Sequence, residues 1–313
     1  MNLCDLEDGG HRACQRADLD TLGYEVRGAE HECFTILKDG RFLSAQTDGR
    51  GDHVANCGGW EKFREVSDDA RPEIPLIPES QSIPKRIHQT DNPLEIGAQF
   101  ADNVDQLKTL NDGWVYEYYS EKDRLDYIYE FYGWPILKDY LSINPRFGAA
   151  RADLFRYLCI YRHGGVYFDM KSGVERPLDE IIREGDRFLL SHWASARSTR
   201  FHGWGRGCEV AHVEGGEYVQ WFIICTAGHP LMRKVVEQVL FNIRHYLHPL
   251  HGSGSTATLN ITGPHVFTRA ICGHVAEGTT RLLDAENEGL VYNNIANYMR
   301  SSNYRGEQSP LIL

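Results

Sequence analysis

The sequence predicts an α/β protein with a largely parallel sheet, preceded by a small β-rich appendage. Three observations carry this reading. From residue 81 onward, short strand-like runs alternate with helical segments, the order that builds parallel sheets. Residues 149–173, AARADLFRYLCIYRHGGVYFDMKSG, read as a helix, a two-glycine turn and a buried strand that ends in a carboxylate. Residues 1–80 have another texture, rich in Gly and Asp with short alternating runs, so the division falls at 1–80 and 81–313.

In the appendage, the runs Cys33–Leu37 and Arg41–Ala45 flank Lys38-Asp39-Gly40, a hairpin signal. The segment resembles one repeat of a β-trefoil, a fold that needs three. It reads either as a sugar- or partner-binding module or as a β-cap on the larger domain. Pro72, Pro75, Pro78 and Pro84 then mark an extended linker. Ile83–Gln89 follows as a first strand, Ile96–Leu110 as a helix and Trp114–Tyr119 as a second strand. Glu121–Tyr132 and Trp134–Ile143 read as aromatic-rich helices, broken by Asn144-Pro145. Gly164 and Gly165 stop the next helix, and Val166–Phe168 forms a strand. Pro177–Arg183 reads as a short helix and Arg187–His192 as a strand. Ala194–Gly216 reads as a loop and the apolar Gln220–Thr226 as a buried strand. Leu231, Val235, Val239 and Ile243 recur every four residues in a helix over Pro230–Tyr246. Another helix starts at Thr262-Gly263-Pro264-His265, with proline early.

The 313 residues carry 33 Lys and Arg against 44 Asp and Glu, a formal charge of −11. That balance opposes nucleic acid or an anionic membrane as a partner held by bulk electrostatics. No apolar run reaches the roughly 20 residues of a bilayer span. The acidic first residues lack the apolar core of a secretory signal, so a cytoplasmic location is expected. Eight cysteines without a C-x-x-C pair make a zinc site unexpected. Cys159 and Cys225 read as small buried thiols, while Cys4, Cys14, Cys33 and Cys57 would pair only in an oxidising compartment.

Asp153 and Arg156 project from one helix face, and Asp169 leaves the strand where open α/β sheets bind ligands. The pattern Ala-Ala-X-X-Asp-Leu-X-Arg-Tyr followed by Gly-Gly-Val-Tyr-X-Asp resembles the sugar-binding "DXD" region of glycosyltransferase family 32. That family includes yeast-type mannosyltransferases, and the arrangement recurs in large clostridial glucosylating toxins. Ile-Pro-Lys-X-Ile-His-Gln at residue 83 and Thr-Gly-Pro at residue 262 extend the likeness. The resemblance implies a GT-A-like nucleotide-binding domain with a mainly parallel sheet.

The resemblance also implies site residues. Asp153 would bind donor-sugar hydroxyls, with Arg156 near the sugar and diphosphate. Tyr167 would lie beside the nucleotide and Asp169 would take a metal or a sugar hydroxyl. By spacing alone, Asp153 and Arg156 are equally an ordinary ion pair three residues apart on a helix. His88 ends the first strand and is expected to border the base. His192 and Trp193 are expected on the acceptor side, and His265 as a metal ligand beside Asp169. Each of these has a bland reading as ordinary packing.

The departure is Lys171, where the family has a second Asp that binds Mn²⁺ or Mg²⁺. An ammonium about 4 Å from a divalent cation is repelled by about 8 kcal/mol at an effective dielectric of 20. Either Lys171 neutralises the donor diphosphate in the metal's place, or it points away and other groups complete a metal site.

The expected activity is retaining transfer of a hexose from a nucleotide sugar to an acceptor hydroxyl, with a UDP-sugar favoured over GDP-mannose. The setting would be polysaccharide or glycoconjugate synthesis, with a carbohydrate, lipid-linked or protein acceptor. Asp153, Arg156, Asp169 and Lys171 would be the catalytic set. A non-catalytic nucleotide-sugar binder, or an adaptor acting through the β-module, is the alternative.

Overall fold

Turn chemistry sets the first described strands. The computed structural model describes residues 19, 23–28, 34–45, 51–57, 72–194, 200–277, 280–293 and 306–313. Strands β1 (Glu25–Gly28), β2 (Phe34–Lys38), β3 (Arg41–Ala45) and β4 (Gly51–Val54) form an antiparallel meander. Asp39 and Gly40, both with positive φ, make the expected turn between β2 and β3. Leu19, Tyr24, Phe34, Ile36 and Leu43 supply a small core of its own. The readings at Cys4, Cys14 and Cys33 lie outside the described residues.

The linker is extended as expected, but it is not free. Ile77 N–H donates to Tyr161 Oη, and Tyr161 Oη–H donates to Pro75 O. Ser80 N–H donates to Ala227 O, and Glu79 accepts from Arg187 and Thr226. Ile74 joins the main apolar core. Residues 72–80 therefore pack as a strap on the larger domain.

The larger domain continues through β5 (Arg86–Thr90), α1 (Ala101–Leu110), β6 (Val115–Tyr119), α2 (Glu121–Ser142), α3 (Gly148–His163), β7 (Gly165–Phe168), β8 (Gly173–Val174) and α4 (Leu178–Ile181). It ends with β9 (Phe188–Leu190), β10 (Phe222–Cys225), α5 (Pro230–Arg244), α6 (His248–His251), α7 (Gly254–Ile261), α8 (Pro264–Ile271), β11 (Thr280–Leu282) and β12 (Leu290–Val291). The helix expected from Ile96 starts at Ala101, after a 3-10 turn over Ala98–Phe100. The two helices expected over 121–143 run end to end as α2, kinked at Gly133 (φ 74°) beside Pro135. Ser120 and Asp123 close its capping box. Helices α6 and α7 lie within residues 247–261, between the two helices expected from the sequence.

The central sheet runs β11-β9-β10-β7-β5-β6. Strands β5, β6 and β7 are mutually parallel, and β9 pairs parallel with β11. Strand β10 is reversed, antiparallel to both β7 and β9. Its N-terminal end therefore lies at the edge where β5, β7 and β9 finish. Helix α3 packs on β7, β10 and α5. Leu154, Phe155, Tyr157, Leu158, Cys159 and Ile160 of α3 are all fully buried. At the turn into β7 the backbone nearly touches its neighbours. A Cβ on Gly164 would lie 2.4 Å from Ala227 N, and one on Gly165 2.6 Å from Arg86 O. Both glycines also have positive φ, 64° and 93°. No described helix is long and apolar enough to cross a membrane.

Candidate active site

The site lies at the sheet edge where β7 ends and β10 begins. Helix α3 aims Asp153 and Arg156 at that edge, three residues apart on one face. Arg156 Nη2 lies 3.1 Å from Asp153 Oδ1, and its Nη1 3.1 Å from Asp169 Oδ1. The same Nη1 donates to Gln220 O at 2.9 Å, and the guanidinium sits 4.7 Å above the Tyr167 ring. Thus one cation bridges two carboxylates that the chain places 16 residues apart.

Burial differs sharply along this row. The side chains of Asp153 and Arg156 are 4% and 7% exposed, whereas that of Asp169 is 25% exposed. Asp169 is the member that meets solvent. Asp153 is held from behind: Thr262 Oγ1–H donates to its Oδ2 at 3.0 Å and Gln220 Nε2–H to its Oδ1 at 3.3 Å. Burial pushes the Asp153 carboxyl up to about 7, against the opposing pull of Arg156 and Thr262. Arg156 is raised despite its own burial, because Tyr167, Asp169 and Asp153 surround it. Tyr157 Oη–H bonds Gln220 Oε1 and Thr262 O, joining α3, β10 and the α7–α8 turn.

Tyr167 lies almost wholly buried beneath Arg156, and its hydroxyl donates to Asp169 Oδ1 at 3.3 Å. It supports the charged row from below rather than offering a face to a nucleotide.

His88 corrects the expectation that it borders a base. It is fully buried. Its Nδ1 faces Glu117 Oε2 and Tyr119 Oη, each at 3.2 Å, and its Nε2 faces Gly164 O at 3.1 Å. Burial alone would keep the ring neutral. The Cys159 sulfur and the Glu117 carboxylate outweigh it and raise the imidazole to about 10. Glu117, hydrogen-bonded to His88, is held down at about 2. His88 is thus an imidazolium inside the sheet, and His163, stacked on it at 6.1 Å, is depressed to about 4 by burial and by that charge.

Lys171 leaves the Asp169 turn and donates from Nζ to Tyr292 Oη at 2.8 Å, with the ammonium 4.6 Å from the Tyr292 ring centre. His192 stacks on Tyr218 at 4.5 Å, and its Nδ1 meets Glu217 O. Trp193 Nε1–H donates to Glu217 Oε1 at 2.7 Å, and its ring packs against Phe201, Trp204 and Tyr292. His265 opens α8 and faces Glu217 Oε2 at 3.4 Å and Glu209 Oε2 at 3.8 Å.

The two residues expected to hold a metal, Asp169 and His265, meet different partners. The contacts of Asp169 are Arg156 and Tyr167, those of His265 are Glu209, Glu217 and Asn260, and the two sets do not overlap. Among the described residues no group of three or more His, Cys, Asp or Glu side chains gathers as a ligand set. Among the described residues, the donor set beside Asp169 is one carboxylate with an arginine on it and a lysine two residues on. That chemistry does not fit a protein-held divalent ion.

Gln220, Thr262 and Tyr157 also build the site, and none was singled out for it. Gln220 and Thr262 come from segments 64 and 106 residues after Arg156 in sequence, so no local pattern links them to it.

Residues 80–188 match the family described as the glycosyltransferase sugar-binding region containing DXD motif. Over those residues the chain is similar to the sugar-binding region of glycosyltransferases. More particularly, a mannosyl phosphorylinositol ceramide synthase of Saccharomyces cerevisiae is 31% identical over 117 residues, 37% of this chain and 29% of that protein. Inositol phosphoceramide mannosyltransferase 1 of Schizosaccharomyces pombe is 26% identical over 136 residues, 42% and 41% of the two chains. An initiation-specific alpha-1,6-mannosyltransferase of Candida albicans is 27% identical over 129 residues, 39% and 34%. The chain thus spans less than half the length of these relatives. Among solved structures, the PaToxG glycosyltransferase has a TM-score of 0.40 at 14% identity, over 63% of this chain and 71% of that one. The UDP-bound glycosyltransferase domain of the YGT toxin has 0.34 at 11%, over 59% and 56%.

Proposed function

We propose that the chain is a hexosyltransferase that moves a sugar from a nucleotide donor to an acceptor hydroxyl with retention. The bridged row Asp153–Arg156–Asp169 at the sheet edge carries this reading. The mannosyltransferase relatives support mannose as the transferred sugar.

The chemistry follows from exposure. Asp169 accepts donor-sugar hydroxyls, because only its carboxylate in the row has open surface. Arg156 fixes that carboxylate from behind and acts as a positioning residue. Asp169 and Asp153 already engage Arg156, so the developing charge of the diphosphate needs another cation. Lys171 is the nearest in sequence, and a phosphate is a stronger partner for its ammonium than the Tyr292 hydroxyl it bonds here. No second free carboxylate stands beside Asp169 as a nucleophile among the described residues. The acceptor hydroxyl then gives its proton to the departing phosphate on the face the leaving group quits, which accounts for retention. This route needs no protein-held metal.

The test is a donor panel: GDP-mannose, UDP-glucose, UDP-galactose and UDP-N-acetyl sugars, each with Mn²⁺ and with EDTA. Donor hydrolysis that survives EDTA and is lost in Asp169→Asn supports the reading. Tight donor binding without turnover, even with acceptors, replaces it by a nucleotide-sugar binder.

A further inference from the structure

Beside the donor row lies an aromatic cleft. Trp193, Phe201, Trp221 and Tyr292 line it, with the carboxylates Asp284 and Glu286, around a cavity of only about 20 Å³ that opens to solvent. Ring centres of Trp193, Trp204 and Trp221 lie 5.1, 6.1 and 5.7 Å from that of Tyr292. Trp204 completes the cluster yet remains 44% exposed. We propose that this cleft is a carbohydrate subsite that seats a pyranose ring of the acceptor. The proposal rests on the hexosyltransferase reading and names the class of acceptor.

Three observations carry it beyond simple packing. First, a core cluster would cover its indoles, whereas Trp204 leaves 44% of its surface to solvent. A pyranose has an apolar C–H face that lies flat on such a ring and a hydroxyl edge that needs polar partners. Second, Trp221 is 5% exposed and its indole N–H, itself buried, has no hydrogen-bond partner. A buried donor without a partner, on a residue that lines the cleft, calls for an acceptor, and a hydroxyl oxygen is one. Third, the cleft adjoins the donor row. Asp169 N–H donates to Trp221 O at 2.8 Å, and Lys171 bonds Tyr292. An acceptor ring resting there has its hydroxyls beside the carboxylate that holds the donor sugar. The cleft is narrow, so the ring lies across it on Trp204 and reaches inward with one hydroxyl rather than being enclosed. Charge agrees: a neutral ligand suits a wall whose ionic groups, Asp284 and Glu286, accept hydroxyl hydrogen bonds.

Saturation-transfer NMR with methyl α-mannopyranoside on the intact protein tests this. Mannitol, an open-chain polyol with no ring face, is the control. The expected result is saturable glycoside binding, little for mannitol, and about tenfold weaker binding in Trp204→Ala. Trp221→Phe keeps a ring and removes the N–H, and a severalfold loss is expected. Absence of saturable glycoside binding, equal binding of mannitol, or unchanged affinity in both variants overturns the proposal. Donor hydrolysis is scored on the same wild-type sample without acceptor. Glycoside binding without hydrolysis upholds the subsite and defeats the hexosyltransferase reading. Hydrolysis without glycoside binding does the reverse.

Discussion

Arg156 Nη1 and Asp169 Oδ1 lie 3.1 Å apart, joining the middle of α3 to the end of β7. The same guanidinium holds Asp153, so helix and strand are locked in one register by a buried cation. Breaking such a buried pair is expensive, because the partners stay buried and unpaired. Arg156→Ala is expected to lower stability by about 3–5 kcal/mol in chemical denaturation. Arg156→Lys should fold better yet lose most turnover, since a point charge cannot bridge both carboxylates. Equal activity in Arg156→Lys would remove the bridging role.

Asp153 adds a pH signature. Its carboxyl is raised to about 7 in the fold, against 3.8 otherwise. The fold therefore favours the protonated acid: this contribution is full below about pH 4 and is lost as pH rises through about 7. Asp153→Asn should flatten the pH dependence of unfolding between pH 4 and 8. A slope unchanged in the variant would assign it elsewhere.

The His88–Glu117 pair has a window set by two shifts. Glu117 is depressed to about 2, so its contribution stands above pH 4.5 and fades as pH falls through about 2. His88 is raised to about 10, so its contribution is full below pH 6.5 and is lost as pH rises through about 10. The difference in Tm between wild type and His88→Asn should be largest from pH 4.5 to 6.5 and shrink toward pH 10. A constant difference across that range would show the imidazole to be neutral.

Lys171 predicts a designed gain. Lys171→Asp replaces an ammonium with a carboxylate two residues after Asp169 and recreates Asp-X-Asp. Donor hydrolysis by the variant should become dependent on Mn²⁺, while that of wild type changes less than twofold on adding EDTA. An EDTA-sensitive wild type would return Lys171 to a bystander role.

Gly165 supplies a purely steric test. Gly165→Ala places a methyl 2.6 Å from Arg86 O at φ 93° and should cost about 1–3 kcal/mol or more. A variant as stable as wild type in urea would show that the turn relaxes.

The signature segment was legible because helix period, glycine turn and strand all fall within 25 residues, 149–173. It located Asp153, Arg156 and Asp169 correctly at one edge. Sequence could not tell that Arg156 faces carboxylates rather than solvent, since exposure depends on what packs over α3. His88 failed for a related reason: a polar residue in a strand faces either water or a neighbour, and Glu117 and Gly164 come from elsewhere. The direction of β10 was equally hidden. QWFIICT records burial on both faces, not which way the strand runs.

That reversed strand has a consequence for the proposed acceptor side. It carries residues 200–221, as one connected stretch, past the aromatic cleft to Gln220, which donates to Asp153 and accepts from Arg156. The rest of that row comes from α3 and β7. Under the proposed hexosyltransferase reading, exchange of residues 200–216 changes the acceptor face and leaves Asp153, Arg156 and Asp169 in place.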